Sequence, residues 1–298
     1  MNLSTVSLFK QLRPDKCIVL DDVRLKALQN TLLDILKDIT AFCEKHGISY
    51  TLGGGSALGA VRHGGFIPWD DDIDINMPRA DYNRFIDLFT AELGGQYWLH
   101  TPEHTPEYNL LLARVRKRGT SVVTREDFFN DECGAFVDIF VVENTPDNAV
   151  VRFLHGFGSM AFGFLHSCRK FYRERKPLMQ LADGDTTVAT VFRLKIAIGF
   201  FTSFLPMQTW TRLANAWNSA CKNASSRYVS IPVGRKHYFG ELYLRADVCR
   251  CRPATFEGER VYLPENTHAY LSSLYGDYTA IPDEENREKH IVFEPFIL

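Results

Sequence analysis

Leu25, Leu28, Leu32, Ile35, Ile39 and Phe42 recur at the spacing of a helix with one apolar face. Asp21 or Asp22 can cap its start and Gly47 can end it. Ile48–Leu52 then reads as a short strand running into Gly53-Gly54-Gly55. Ser56–His63 supplies about two helical turns before Gly64-Gly65 stops them. Asp72–Met77 alternates, with Asp72, Asp74 and Asn76 on one strand face and Ile73, Ile75 and Met77 on the other. Pro78 closes that strand, and Tyr82, Phe85, Ile86 and Phe89 mark a helix ended by Gly94-Gly95.

Leu110–Val115 and Thr120–Thr124 have strand character, and their spacing predicts a hairpin turning through Lys117-Arg118-Gly119. Phe136–Val142 is a further strand, on which Asp138 points opposite to Val137, Ile139 and Val141. From about Val150 to Asn223 aromatic and basic residues dominate, turn signals thin out, and the pattern is helical. After Arg227 short strands and turns return. The last helix, Asn266–Tyr275, has Asn266 to cap it and Gly276 to end it. These changes divide the chain into a core over 1–149, a helical insertion over 150–225, and a stretch over 226–298 that completes the core.

Composition narrows the class without naming a chemistry. The 298 residues are 45% hydrophobic and 23% charged, as in an ordinary globular protein with a full core. A net charge of −2 argues against a nucleic-acid partner. Residues 1–16 lack the apolar run and small-residue site of an export signal, and the seven cysteines are odd in number and scattered. Free thiols in a cytoplasmic protein are therefore expected. Cys249 and Cys251 have no second pair at zinc-finger spacing and read as alternating strand positions.

No segment carries the roughly 20 apolar residues that span a bilayer. Phe153–Cys168 and Ile196–Thr211 nevertheless hold no formal charge, and the basic run Arg169–Lys176 follows the first. Two readings stand: peripheral contact with an anionic bilayer surface, or a buried helical pair with a basic turn.

The chemistry concentrates between Leu52 and Asp74. Asp70, Asp71, Asp72 and Asp74 repel one another in a compact fold unless a cation lies between them. A carboxylate on a half-buried strand costs several kcal/mol unless it is paired, protonated or metal-bound. Asp72 and Asp74, with Asp138 from a second strand, would make a fork for Mg²⁺ or Mn²⁺. Gly54, Gly55 and Ser56 would offer backbone N–H groups and a hydroxyl to a phosphate, with Arg62 just beyond. Arg114, Arg116, Lys117 and Arg118 form a basic run. It is either a solvated edge or, at Arg114 and Arg116, a clamp for a nucleotide diphosphate, with Lys117 a further phosphate-binding candidate beside Arg114. His63 is open between general base and structural histidine, and Trp69 between base stacking and packing.

Gly54–Phe85, GGSALGAVRHGGFIPWDDDIDINMPRADYNRF, closely resembles the signature of the LicD/fukutin phosphotransferase family. The stretches around Asp138 and from Phe256 to Arg287 and His290 are similar to that family as well, so the resemblance covers most of the chain outside the helical middle. It implies an α/β core of the nucleotidyltransferase-like, polymerase β type. It also implies transfer of a phospho-alcohol, often phosphocholine, from a CDP-activated donor such as CDP-choline to a cell-surface glycan: lipopolysaccharide, capsule or teichoic acid. Asp72, Asp74 and Asp138 would be the metal and catalytic acids, while Asp71, His63, Arg287 and His290 are further candidates near the site. Choline would call for an aromatic cage from among Tyr238, Phe239, Tyr243, Tyr275 and Tyr278. Two alternatives remain on the same fold: a nucleotidyltransferase releasing pyrophosphate, and a non-catalytic nucleotide- or glycan-binding protein.

Overall fold

Apolar spacing and caps form the elements that the sequence marks most strongly. The computed structural model of the chain describes residues 17–18, 20–182, 186–283, 287 and 292–298. After β1 (Cys17–Ile18), α1 (Asp22–His46) begins where the Asp21 carboxylate accepts the Arg24 N–H. It ends where Gly47 takes the left-handed conformation, and its stripe from Leu28 to Phe42 is buried. β2 (Thr51–Leu52) is shorter than the expected 48–52 strand. It leads through Gly53 into α2 (Gly54–Arg62), and β3 (Asp74–Pro78) and α3 (Arg79–Leu93) follow. Phe42 of α1 meets Phe85 and Phe89 of α3 edge-on, at 5.5 and 5.3 Å between ring centres. Each such pair adds about 0.5–1.5 kcal/mol beyond burial.

β4 (Tyr97–His100), β5 (Ala113–Lys117), β6 (Ser121–Thr124) and β7 (Phe136–Asn144) come next. β3 runs parallel to β7 with Asp74 opposite Asp138, and β5 runs antiparallel to β7 with Arg114 opposite Asp138. The resulting sheet has the order β2-β3-β7-β5-β4. Ile73, Ile75, Met77, Val137 and Ile139 are fully buried in the core, leaving the alternate positions for polar groups.

The expected hairpin between 110–115 and 120–124 does not form. β5 has β4 on one side and β7 on the other, so no edge remains for β6. β6 pairs instead with β12 (Val292–Ile297), which also pairs with β1.

Four helices follow β7: α4 (Ala149–Arg173), α5 (Arg175–Leu181), α6 (Thr186–Phe201) and α7 (Met207–Asn218). Phe171 of α4 packs with Leu178, Val188 and Phe192 in a cluster separate from the main core. The chain then returns to the sheet, where β8 (Tyr228–Ser230) pairs with β7. α8 (His237–Gly240), β9 (Leu242–Leu244), α9 (Arg245–Val248) and the hairpin β10 (Cys251–Phe256)–β11 (Glu259–Pro264) lead to α10 (Thr267–Tyr275). Asn266 caps α10 by accepting the Ala269 N–H, and Gly276 ends it. The molecule is thus a mixed α/β fold, and no described helix is long and apolar enough to cross a membrane.

Candidate active site

Asp74 opens β3, and its Cβ-bearing face looks across the sheet to the glycine turn. Gly53 N–H donates to the Asp74 carbonyl, and Ser56 Oγ accepts the Asp74 N–H at 2.9 Å. Gly54 holds φ +42°, and a Cβ there would lie 2.8 Å from Asp74 Oδ2. At Gly55 a Cβ would come 2.9 Å from Asp70 Oδ2. The positive φ favours glycine at Gly54, whereas at Gly55 the added atom would meet the end of a side chain that can turn aside. Tyr270 of α10 fastens the turn, its hydroxyl accepting from Gly54 N–H at 2.9 Å and from Asn76 Nδ2 at 3.0 Å. The Gly54 N–H is consequently engaged within the protein.

A cavity of about 410 Å³ opens beside this turn. Gly54, Gly55, Asp70, Asp71, Asp72 and Asp74 line one wall. Asp72 precedes β3 rather than lying on it, in the Asp70–Asp72 approach to the strand. Among the described residues, the three acids whose oxygens come within 4.8 Å of one another are Asp70, Asp71 and Asp72. Such a set of hard oxygen donors fits Mg²⁺ or Mn²⁺.

Asp138, expected as the third acid of the fork, has a cationic partner. It is adjacent to Asp74 in register, but both its oxygens accept from Arg114, at 2.6 Å from Nε and 2.9 Å from Nη2. The pair is buried, and Arg114 lies 3.7 Å above the Phe136 ring. Burial works against the Arg114 charge, but Asp138 outweighs it and holds the guanidinium pKa above its ordinary value. Arg114 does border the cavity, with its charge balanced by Asp138. Arg116 is fully buried against Asp127 at 2.6 Å.

Two further expected phosphate ligands, Lys117 and Arg62, are not among the residues that line the cavity, though Arg62 feels the charge of Asp70. Lys117 has the opposite strand parity from Arg114, and its Nζ sits 3.6 Å from Asp34 of α1, on the other face of the sheet. Arg62 donates to the carbonyls of Tyr278 and Ala280, so it ties α2 to the segment after α10. Its Nε donates to His63 Nε2 at 3.0 Å. Burial, then the Arg62 charge, lower the His63 pKa. Arg287 stacks 4.2 Å over the Trp69 ring, which settles that side chain's partner. His290 lies outside the described residues.

The sequence reading missed five polar residues of the lining: Arg125, Glu126, Arg235, His237 and Glu241. These sit in the short 3-10 helix Arg125–Asp127, in turns and in the four-residue α8, where no hydrophobic period singles them out. The closest signal is the basic GRKH run at Gly234–His237. Glu126 is held by Lys170 of α4 and by Arg125. Burial opposes its charge, yet these two cations outweigh burial and keep its pKa low. Burial pushes Glu241 up to about 7, although it accepts the Lys236 N–H at 2.9 Å. Of the five aromatic-cage candidates, Tyr275 borders the cavity.

This geometry coincides with sequence similarity to known proteins. Residues 47–155 match the family described as LicD/FKTN/FKRP, nucleotidyltransferase domain. The lipopolysaccharide cholinephosphotransferase LicD of Haemophilus influenzae is 28% identical over 284 residues, 92% of this chain and 98% of that protein. Ribitol 5-phosphate transferase FKRP of Homo sapiens is 40% identical over 70 residues, 24% of this chain and 13% of that protein. An uncharacterized Rickettsia typhi protein is 42% identical over 120 residues, 40% of this chain and 31% of its own. Residues 47–155 are thus similar to the LicD family domain, and the named relatives among these are transferases.

Proposed function

We propose that this chain is a phosphotransferase that moves a phospho-alcohol, phosphocholine first among them, from a CDP-activated donor to a glycan hydroxyl. The observation that carries the reading is one cavity where Asp70, Asp71, Asp72 and Asp74 meet the glycine turn, with Arg125 and Arg235 also in its lining. The near full-length similarity to a lipopolysaccharide cholinephosphotransferase supports the substrate class. We read the sheet as a nucleotidyltransferase-like palm over 1–149 and 226–298, with 150–225 inserted. The pairing of β8 with β7 and the separate helical cluster support that division.

In this reading the acids at 70–74 hold Mg²⁺ or Mn²⁺, which when bound would offset charge on the donor diphosphate. The glycine turn lets the Asp70 and Asp74 carboxylates pack close to the backbone, and Arg125 and Arg235 balance the leaving CMP. The acceptor oxygen attacks the phosphorus bearing the alcohol, the P–O bond to CMP breaks, and the hydroxyl proton passes to a carboxylate of the cavity. Asp138 keeps Arg114 charged and aimed, acting through it rather than as a third ligand. A cytoplasmic site with peripheral contact to the inner membrane face suits an acceptor carried on lipid.

Product analysis tests the proposal. Incubation with CDP-choline, CDP-ribitol or CDP-glycerol, Mg²⁺ and a glycolipid acceptor should yield CMP without pyrophosphate. Pyrophosphate from CTP and an alcohol phosphate would favour nucleotidyl transfer. Ligand binding that survives Asp72→Asn, with no turnover by either protein, would favour a binding role.

A further inference from the structure

The helices between β7 and β8 leave an unusual amount of aromatic surface uncovered. On α4, Val150, Phe153, Leu154, Phe157, Met160 and Phe164 share one face by helical spacing and are all exposed, Phe153 at 60% and Phe157 at 64%. Toward the end of α4 this face is covered: Gly199 of α6 packs against the Cys168 carbonyl, and Phe192 meets Phe171 at 5.0 Å. The outer side of α6 then continues the apolar surface with Leu194, Phe200 and Phe201, and Phe204 follows in the next turn. Phe201 and Phe204 are 76% and 74% exposed. Phe200 joins the two helices through its ring contact with Tyr172. α7 occupies the opposite side of α4, where Trp217 stacks on His155 and His166 meets Thr211. Phe239 of α8 meets Phe153 at 5.8 Å between ring centres, and the rest of the face through Leu154, Phe157, Met160 and Phe164 stays open.

Charge tells what covers it. Residues 149–218 hold nine arginines and lysines against three acids, a surplus of six positive charges in a chain whose total is −2. The one acid described in that segment, Glu174, is buried and bonded to Asn109. Exposed Arg175, Lys176, Arg193 and Arg212 flank the apolar surface. A soluble partner or a second copy would ask for apolar complementarity alone. An anionic bilayer asks for this combination: aromatic side chains at the acyl boundary and cations at the headgroups.

We infer that α4, α6 and the turn after Phe201 form a monotopic docking surface for an anionic lipid bilayer, with the phenylalanine rings inserted and the flanking arginines and lysines at the phosphate level. Glu126 borders the cavity and is held by Lys170 of α4, so the docking helix and the candidate active site are joined through one ion pair. The inference deepens the proposed function by naming the surface on which a lipid-borne acceptor is met. It rests on that reading only for the acceptor, because binding to lipid is measured without turnover.

Co-sedimentation with vesicles of phosphatidylcholine, with and without 30% phosphatidylglycerol (about a third anionic lipid, enough to set a negative surface potential), tests it on the full chain. Binding is expected to the anionic vesicles and to fall with salt. The paired variants Phe153→Ser/Phe157→Ser and Phe201→Ser/Phe204→Ser should each weaken it by roughly tenfold or more. These side chains are exposed, so the variants should keep the wild-type unfolding midpoint and unchanged turnover of a soluble acceptor. Light scattering after size exclusion runs in parallel. A dimer that the same variants dissociate, with no vesicle binding, overturns the inference in favour of a self-association face. Equal sedimentation of wild type and both variants overturns it as well. Turnover absent everywhere with vesicle binding intact would count against the proposed function alone.

Discussion

Replacing Asp138 by asparagine keeps the shape of its side chain and removes the charge that faces Arg114. Arg114 is then left cationic and almost wholly buried, 3.7 Å over Phe136, with Nη1 already lacking a hydrogen-bond partner. Two short bonds between opposite charges, of 2.6 and 2.9 Å, become at best one bond from the guanidinium to a neutral amide oxygen. Breaking a buried pair from one side typically costs about 3–5 kcal/mol, whereas removing both members together is often near neutral. Asp138→Asn should therefore lose about 3–5 kcal/mol in urea unfolding at constant m-value, and Arg114→Met/Asp138→Asn should recover most of the loss. The coupling energy from the full double-mutant cycle should be about 3 kcal/mol. Mg²⁺-induced stabilisation should persist in the double variant, since Asp138 is not among the acids that converge at 70–72. A double variant as unstable as Asp138→Asn, or one deaf to Mg²⁺, would refute this assignment and return Asp138 to the metal fork.

Gly54→Ala places a Cβ 2.8 Å from Asp74 Oδ2 at φ +42°, so it should cost about 1–2 kcal/mol in unfolding and abolish Mg²⁺-dependent nucleotide binding by calorimetry. Lys117→Met should leave turnover unchanged and shift stability by less than about 1 kcal/mol, because its partially exposed pair with Asp34 lies on the far face. Glu241 has a folded pKa of about 7 against an ordinary 4.5. Its protonated form is favoured in the folded state, so its contribution is full below pH 4.5 and is lost as pH rises through 7. Glu241→Gln should thus gain stability relative to wild type on going from pH 4.5 to 8, by up to about 3 kcal/mol, and a flat difference in denaturant midpoints would contradict the burial argument.

Local grammar made much of this fold legible before any coordinates. The caps at Asp21, Gly47, Asn266 and Gly276 act within one helical turn, and each stands where the sequence puts it. The alternation over Ile73–Met77 likewise places Asp74 and Asn76 together, because strand parity is a property of neighbouring residues. Pairing over long separations carries no such signal. β6 meets β12 some 170 residues away (Val292 opposite Thr124), and nothing near Thr124 distinguishes that partner from β5. The site divides in the same way. Its glycine-acid wall lies within 21 residues and reads as one motif, whereas Arg235 and Glu241 arrive from turns beyond the helical segment. Parity alone could have removed Lys117 from the phosphate-binding candidates, since it faces opposite to Arg114.

The central claim is that the acids at 70–74 and the glycine turn make one metal-dependent phosphotransfer site. It is tested most directly by CMP release from CDP-choline and a lipopolysaccharide acceptor, comparing wild type with Asp72→Asn and Asp74→Asn at matched unfolding midpoints. The account predicts Mg²⁺-dependent CMP formation by the wild type, without pyrophosphate, and a loss of at least about a hundredfold in each variant. Wild-type rates in either folded variant, or turnover indifferent to chelation of divalent cations, would contradict it.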